Sequence, residues 1–272
     1  MKLYVLADNY VGYNQTLCGE HGASYYIEDG PVRILLDTGA SDLFLQNAEK
    51  LNIDLASIQY LVLSHGHSDH TAGLRFFMEK YGPKVCRRIT LIAHPDLFSS
   101  KKDAGKEIGC PVSLKEVSDC FEVRLTDRPF SLSAGLTYLG EIPRKLPFEN
   151  QEALGTILKE GKENPDFLTD DSALAFNGND GVYVITGCSH SGICNITEQA
   201  KAVTGKPRVL GIAGGFHLLG ESDQLTQTVA YLKKEQIPEL YPAHCTSYEA
   251  RFAINREMPI KVLGAGLILN WE

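Results

Sequence analysis

The chain has no long apolar run, no concentration of basic residues and no paired-cysteine motif, and each gap removes a class of protein. A membrane-spanning helix needs about 18 or more consecutive apolar residues, and no such run occurs in the 272-residue sequence. The opening segment MKLYVLADNY lacks the apolar core and small-residue cleavage site of a secretory signal. The expectation is therefore a cytoplasmic protein with no membrane partner. Lysine and arginine number 26 against 34 aspartates and glutamates, a formal charge of −8. The basic residues gather in nothing longer than pairs such as Lys101-Lys102 and Lys233-Lys234. Holding a nucleic-acid backbone requires a dense basic surface, so no nucleic-acid partner is expected. The seven cysteines (Cys18, Cys86, Cys110, Cys120, Cys188, Cys194 and Cys245) are odd in number and contain no C-x-x-C, which favours free thiols over a disulfide framework.

What is present is concentrated in one place. His65, His67, Asp69 and His70 lie inside LVLSHGHSDHTAGL, where a strand-like run ends and a helix-like run begins. Zinc and similar cations bind imidazole nitrogens and carboxylate oxygens at short distances and need several of them converging from a rigid base. In an extended segment His65 and His67 project to the same side. Asp69 and His70 lie beyond the bend and can face the same cavity from another direction. The spacing suits two adjacent ions better than one, with zinc the first expectation and manganese or magnesium the alternatives.

Along the chain, strand patterns run through KLYVLAD, SYYIEDGPVRILLDTG, YLVLS and ITLIAHPD, with Asp29-Gly30 marking a hairpin turn. DLFLQNAEKLN reads as an amphipathic helix capped by Ser41 or Asp42. AGLRFFMEKYG reads as a helix ending at Gly82-Pro83. CFEVRLT and LTYLGEI follow as strands. The second half offers SALAFN, GVYVITG, RVLGIAG and PELYPAH as strands, and ITEQAKAVTG, QLTQTVAYLKKEQ and SYEARFAINRE as helices. Two strand-rich halves, each followed by helices, imply two sheets packed face to face with helices outside. The fold class is α/β, a four-layer αββα sandwich, expected to form one domain over 1–272. Residues 140–171 interrupt the pattern with a polar stretch holding three of the 12 prolines. This stretch is too long for an ordinary connection. It reads as a disordered insertion or as a lid over the substrate, with Arg144 as an anion contact because a planar guanidinium suits phosphate or carboxylate.

The run His65-Gly66-His67-Ser68-Asp69-His70, with Thr71-Ala72-Gly73-Leu74 after it, resembles the signature of the metallo-β-lactamase superfamily. LLDTGAS upstream and TGCSHSG, GGFHL and YPAHCTS downstream fall in the order that family shows. EHGAS near the start and the last three motifs are most similar to a narrower group, the 7,8-dihydropterin-6-methyl-4-(β-D-ribofuranosyl)aminobenzene-5′-phosphate synthases. The resemblance implies the same αββα sandwich and two metal ions. His244 matches the last metal histidine of the superfamily, and His190 is the candidate for the third histidine of the first ion. The chain departs from the common pattern in two ways. No histidine lies between His94 and His190, and the usual bridging aspartate falls at Cys188. A thiolate also binds zinc, so Cys188 is a further candidate ligand.

His217, after a strand and a glycine pair, is read as a substrate contact, with metal ligation and packing as the alternatives. Asp37 is read as a carboxylate that orients a ligand histidine through its free N–H. Asp170 and Asp171 are open to that role, to capping or to solvation, while His21 and His94 are read either as groups that support the ligands from behind or as structural. In chemical terms, an ion-bound water titrates near about 7 instead of about 15.7. Asp69 would bind the second ion and steer that water or a proton. The implied reaction acts on a phosphorylated or pyrophosphorylated small molecule. It is either hydrolysis or transfer of a dihydropterin to an arylamine ribose phosphate with release of pyrophosphate. An RNA-processing nuclease and a non-catalytic metal or pterin sensor are the alternatives.

Overall fold

The computed structural model describes residues 1–12 and 16–272. The first half runs β1 (Lys2–Ala7), β2 (Ser24–Asp29), β3 (Val32–Leu36), α1 (Leu43–Lys50), β4 (Tyr60–Val62), α2 (Ser68–Thr71), α3 (Gly73–Cys86) and β5 (Thr90–Ala93). A short pair, β6 (Lys101–Asp103) and β7 (Lys106–Glu107), leads to α4 (Leu114–Cys120) and β8 (Glu122–Leu125). The chain continues with β9 (Phe130–Ser131), β10 (Leu136–Tyr138), β11 (Thr156–Lys159), β12 (Lys162–Pro165), β13 (Ala173–Asn177) and β14 (Val182–Thr186). It closes with α5 (Ile193–Thr204), β15 (Val209–Gly215), α6 (Asp223–Glu235), β16 (Glu239–Ala243), α7 (Tyr248–Glu257) and β17 (Ile268–Asn270).

The strands form a seven-stranded sheet in the order β17-β1-β2-β3-β4-β5-β8 and a six-stranded sheet in the order β16-β15-β14-β13-β10-β9. Alternation along each strand sorts side chains between two environments. Ile34 and Leu36 point into the space between the sheets with Ile185, Leu174 and Tyr241. Leu35 points the other way, onto Phe44, Leu74 and Phe77 of α1 and α3. Val182 and Val184 likewise meet Ile196, Leu232 and Ile254 of the later helices. Three apolar layers between four structural layers make the αββα sandwich, an α/β fold.

This arrangement locates the site. β3, β4 and β5 run parallel, as do β14, β15 and β16. Parallel strands deliver their carboxyl ends to the same rim, so the loops after β4, β14, β15 and β16 meet there. Those loops carry His65 to Asp69, His190, His217 and His244.

One local expectation holds and two are extended. The helical path of α3 breaks at Gly82, which adopts φ 64°, as the Gly82-Pro83 pair implies, and Pro83 starts a separate turn to Cys86. α4, absent from the sequence reading, is closed by a capping box in which Ser113 and Glu116 bond each other's backbone N–H. Within 140–171, β11 and β12 form a hairpin that adds to β6, so the segment contains regular structure. Its turn, Glu160-Gly161, uses φ of 52° and 75°, the positive values that two-residue hairpins favour. No helix among the described residues is long and apolar enough to cross a membrane.

Candidate metal centre

His65, His67 and His190 form a closed set, with ring centroids 4.7 to 4.9 Å apart and one ring nitrogen of each within 4.8 Å of the others. All three are buried. Nε2 of His65, Nε2 of His67 and both ring nitrogens of His190 have no hydrogen-bond partner. Buried polar atoms are normally satisfied, so four unpaired nitrogens in one pocket call for a ligand. Burial drives the proton affinity of His65 and His190 well below the imidazole norm, aided by the neighbouring imidazoles. For His67 burial lowers it to about 4 despite Asp69 and Asp170. Neutral rings with open lone pairs are what a metal ion requires. The loop can bring them together because residue 66 is glycine: a Cβ there would collide with the carbonyl oxygen of Leu97.

The second set joins Asp69, His70, Cys188 and His244. His70 Nε2 lies 3.1 Å from His244 Nε2 and 3.1 Å from Cys188 Sγ. Asp69 Oδ2 lies 3.2 Å from His244 Nε2 and 3.7 Å from His70 Nε2. Donors around a tetrahedral zinc, with bonds of about 2.0 to 2.3 Å, are separated by roughly 3.3 to 3.8 Å; the 3.7 Å spacing lies inside that range and the other three fall a few tenths of an ångström short of it, so a small outward shift of the side chains admits such an ion. The outer nitrogens are both engaged as donors. His70 Nδ1 donates to Asp37 Oδ2 at 2.7 Å, and His244 Nδ1 donates to Asn9 Oδ1 at 2.9 Å. The two Nε2 atoms at 3.1 Å therefore need a positive charge between them, either a proton on His70 or a metal cation in its place. Burial opposes charge on His70, yet Asp69 and Asp37 raise its proton affinity to about 9. Burial likewise pushes Asp69 up, but His70 and His244 outweigh it and hold the carboxyl well below the usual range. The pocket favours positive charge at its centre.

Asp37 organises both sets. Its Oδ1 accepts from Ser64 N and its Oδ2 from Ser64 Oγ, each at 2.7 Å. Since Ser64 Oγ donates to Asp37, it accepts from His65 Nδ1 at 3.0 Å, which leaves His65 Nε2 as an acceptor facing the pocket. Asp8 Oδ2 accepts from His244 N at 3.1 Å, with its own affinity for a proton raised to about 6 by burial. Carboxylates and amides that fix ligand histidines are commonly worth 10- to 100-fold in metal affinity. Replacing Asn9 by alanine is therefore expected to weaken the second ion about 10- to 100-fold and leave the first unchanged. A stepwise competition titration against a chromophoric chelator reads both; equal affinities in the two proteins would contradict this role for Asn9.

Strain collects at the same rim. Asp37, Ser189, His217 and His244 all have φ between 45° and 67°, a region costly for residues other than glycine. Around the rim, His217 packs 4.1 Å from the His190 ring and Cys245 Sγ reaches Cys188 O at 3.3 Å. Burial pushes the Cys188 thiol far up. The thiol of Cys245 moves down despite burial, because Cys188 and His217 bond to its thiolate. Asp170 Oδ2 accepts from Gly66 N at 2.8 Å and Asp171 Oδ2 from Ser191 N at 2.8 Å, so each anchors a histidine-bearing loop. Arg144 belongs to neither donor set and donates to the carbonyls of Asn150 and Phe167, bracing the 140–171 segment from within. His21, read as structural, sits at the mouth with Nε2 3.5 Å from Asp69 Oδ2. His94 is bound by neither set. Asn9, Asp8, Lys101 and Cys245 have no local sequence signal beyond, for Cys245, standing next to His244.

Two sheets stacked between helices, with seven donor side chains at one rim that fit divalent cations, define the class. The comparison with known families is specific: the metallo-beta-lactamase superfamily model matches residues 19–203, and the chain belongs to that superfamily. It is 32% identical over its full length, and over 97% of the relative, to the 7,8-dihydropterin-6-methyl-4-(beta-D-ribofuranosyl)-aminobenzene-5′-phosphate synthase of Methanocaldococcus jannaschii. An uncharacterized protein of the same archaeon is 34% identical over 90% of this chain and 91% of its own length. Among solved structures, a metal-dependent hydrolase of the beta-lactamase superfamily superposes with a TM-score of 0.85 at 28% identity, covering 99% of this chain and 98% of that one.

Proposed function

We propose that the chain is a two-cation enzyme that transfers a dihydropterin from its pyrophosphate ester to an arylamine ribose phosphate, releasing pyrophosphate. The observation that carries the metal chemistry is the closed set of His65, His67 and His190, whose buried Nε2 atoms have no partner among the described residues, beside the second set of Asp69, His70, Cys188 and His244. The full-length likeness to the named synthase supports the substrate class. Hydrolysis of a related phosphoester is the sister reaction for the same electrostatics.

His65, His67 and His190 would hold one ion and Asp69, His70, Cys188 and His244 the other. Bound there, divalent cations supply electrophilic stabilisation of phosphoryl oxygens and of a departing pyrophosphate. The protein's own groups do the rest. Asp37 and Asn9 fix the ring orientations, so the donors are pre-positioned and little reorganisation remains. Asp69, with a side chain one-fifth exposed, is the donor that also faces incoming substrate and can orient the attacking amine by accepting a hydrogen bond from its N–H. His217 borders a cavity of about 290 Å³ shared with Asn150, Leu219 and Gln224, which gives the substrate's non-reacting part a place next to the ions.

The test is a pyrophosphate-release assay of the zinc- or manganese-loaded protein with a dihydropterin pyrophosphate, with and without the arylamine. Release that depends on the arylamine is expected. Release without it would redirect the assignment to hydrolysis, and no release from any phosphoester tried would overturn the enzyme reading.

A further inference from the structure

Cys188 Sγ, Cys245 Sγ and a ring nitrogen of His217 lie within 4.8 Å of one another, and neither donor set above uses His217 or Cys245. We infer that these three residues form a further site for a soft divalent cation, with the Cys188 sulfur shared between this ion and the one held by Asp69, His70 and His244. The inference concerns how many ions the rim holds and stands apart from the reaction proposed above.

The donor chemistry is specific. Two thiolates and one imidazole with a fourth position open is a recurrent zinc arrangement, and thiolates select zinc and other soft ions over magnesium. Two thiolates also balance a divalent charge locally, which neutral histidines alone cannot do. The three ligands come from the carboxyl ends of neighbouring parallel strands β14, β15 and β16, so the sheet itself sets their separation. All seven cysteines are free thiols, so Cys188 and Cys245 are available as ligands.

The backbone around the cluster is shaped for it. A Cβ on residue 215 would come within 2.6 Å of Cys245 Sγ; glycine at this position makes room for the sulfur. His217 is held at φ 49°, a conformation that disfavours any side chain other than glycine's. Nδ1 of His217 is buried and without a partner. Cys188 is buried, whereas Cys245 is partly exposed, and His217 borders the 290 Å³ cavity. The fourth position therefore opens toward that cavity, where a water or a substrate heteroatom can complete the shell.

Metal content after reconstitution under reducing conditions tests this on the full chain. Wild-type protein dialysed against trace zinc is expected to keep three ions per chain by elemental analysis. Cys245→Ser and His217→Gln are each expected to keep two. In cobalt-loaded protein the thiolate-to-cobalt charge-transfer absorption should weaken in Cys245→Ser while the share from Cys188 persists. His217→Gln retains both thiols, so it reads the site independently if the cysteine variant folds poorly. Equal ion counts and unchanged charge-transfer absorption across wild type and both variants would overturn the inference, whatever the activity assays show.

Discussion

With His67 replaced by alanine, the protein is expected to stay folded, lose one tightly bound ion and lose turnover by on the order of a thousandfold or more. The magnitude follows from the chemistry an ion supplies. Electrophilic stabilisation by a bound cation is worth several kcal/mol, and about 4 kcal/mol corresponds to roughly a thousandfold in rate. Retention of the fold follows from the surroundings. Nε2 of His67 bonds to nothing in the protein, so its removal strands no partner. Asp170 continues to hold the backbone of the loop at Gly66. Thermal unfolding separates the two effects. Wild-type protein should lose stability on chelation, by about 4 kcal/mol for each ion present at a thousand times its dissociation constant, and the variant, with one ion fewer, should lose less. Elemental analysis, melting curves and initial rates on the same preparations decide it. A variant that keeps wild-type metal content and turnover would remove His67 from the centre.

The parts of this site that were legible in the sequence are those in which local pattern and chemistry coincide. His65 to His70 stand in one turn between a strand and a helix, so the periodicity that marks the elements also shows which way the side chains point. The αββα layering was legible for a related reason: β3 and β14 are short, largely apolar runs of the kind buried on both faces, and the intervening helices are amphipathic. His190 and His244 were reached only through likeness to a family, because a lone histidine after a strand carries no signal of what it will meet. The groups that orient the ligands lie further out of reach. Asn9 follows the first strand in a stretch with no pattern of its own, and its contact with His244 spans 235 positions. Nothing near either residue encodes that contact. The β11–β12 hairpin was missed because Lys and Glu dominate it and its turn carries Glu160 at a position where Asn or Asp is the usual sign. In α4 the Ser113 and Glu116 pair was a readable cap. Arg144 shows what the sequence could not: two of its donors are taken by backbone carbonyls of the 140–171 segment, a bracing role that a guanidinium in a polar stretch does not announce.

Lys101 is the residue whose loss should cost the most stability. Its side chain is fully buried, with Nζ 2.7 Å from Asp166 Oδ2 and 3.0 Å from Asp170 Oδ1. Burial works against its charge, but the two carboxylates more than compensate and raise its affinity for a proton. Lys101→Met keeps most of the aliphatic stem and deletes only the ammonium, which leaves two buried carboxylates without a counter-charge. Breaking a buried ion pair from one side costs about 3 to 5 kcal/mol, a large part of a typical domain's total stability. The effect should also reach the metal centre. Asp170 grips Gly66 N with one oxygen and Lys101 with the other, while Asp166 Oδ1 accepts from Leu168 N at 2.8 Å. Freed from the ammonium, Asp170 loses the contact that sets its position, and the His65–His67 loop loses its anchor. Lower affinity of the first ion, by about 10- to 100-fold, should accompany the lower melting temperature. Adding Asp166→Asn to Lys101→Met removes one of the two stranded charges and should recover part of the stability, as expected when an ion cluster is neutralised from both sides. Denaturant titrations of the single and double variants measure this directly. If Lys101→Met unfolds at the wild-type denaturant concentration, the triad contributes nothing net and the loop is held by other means.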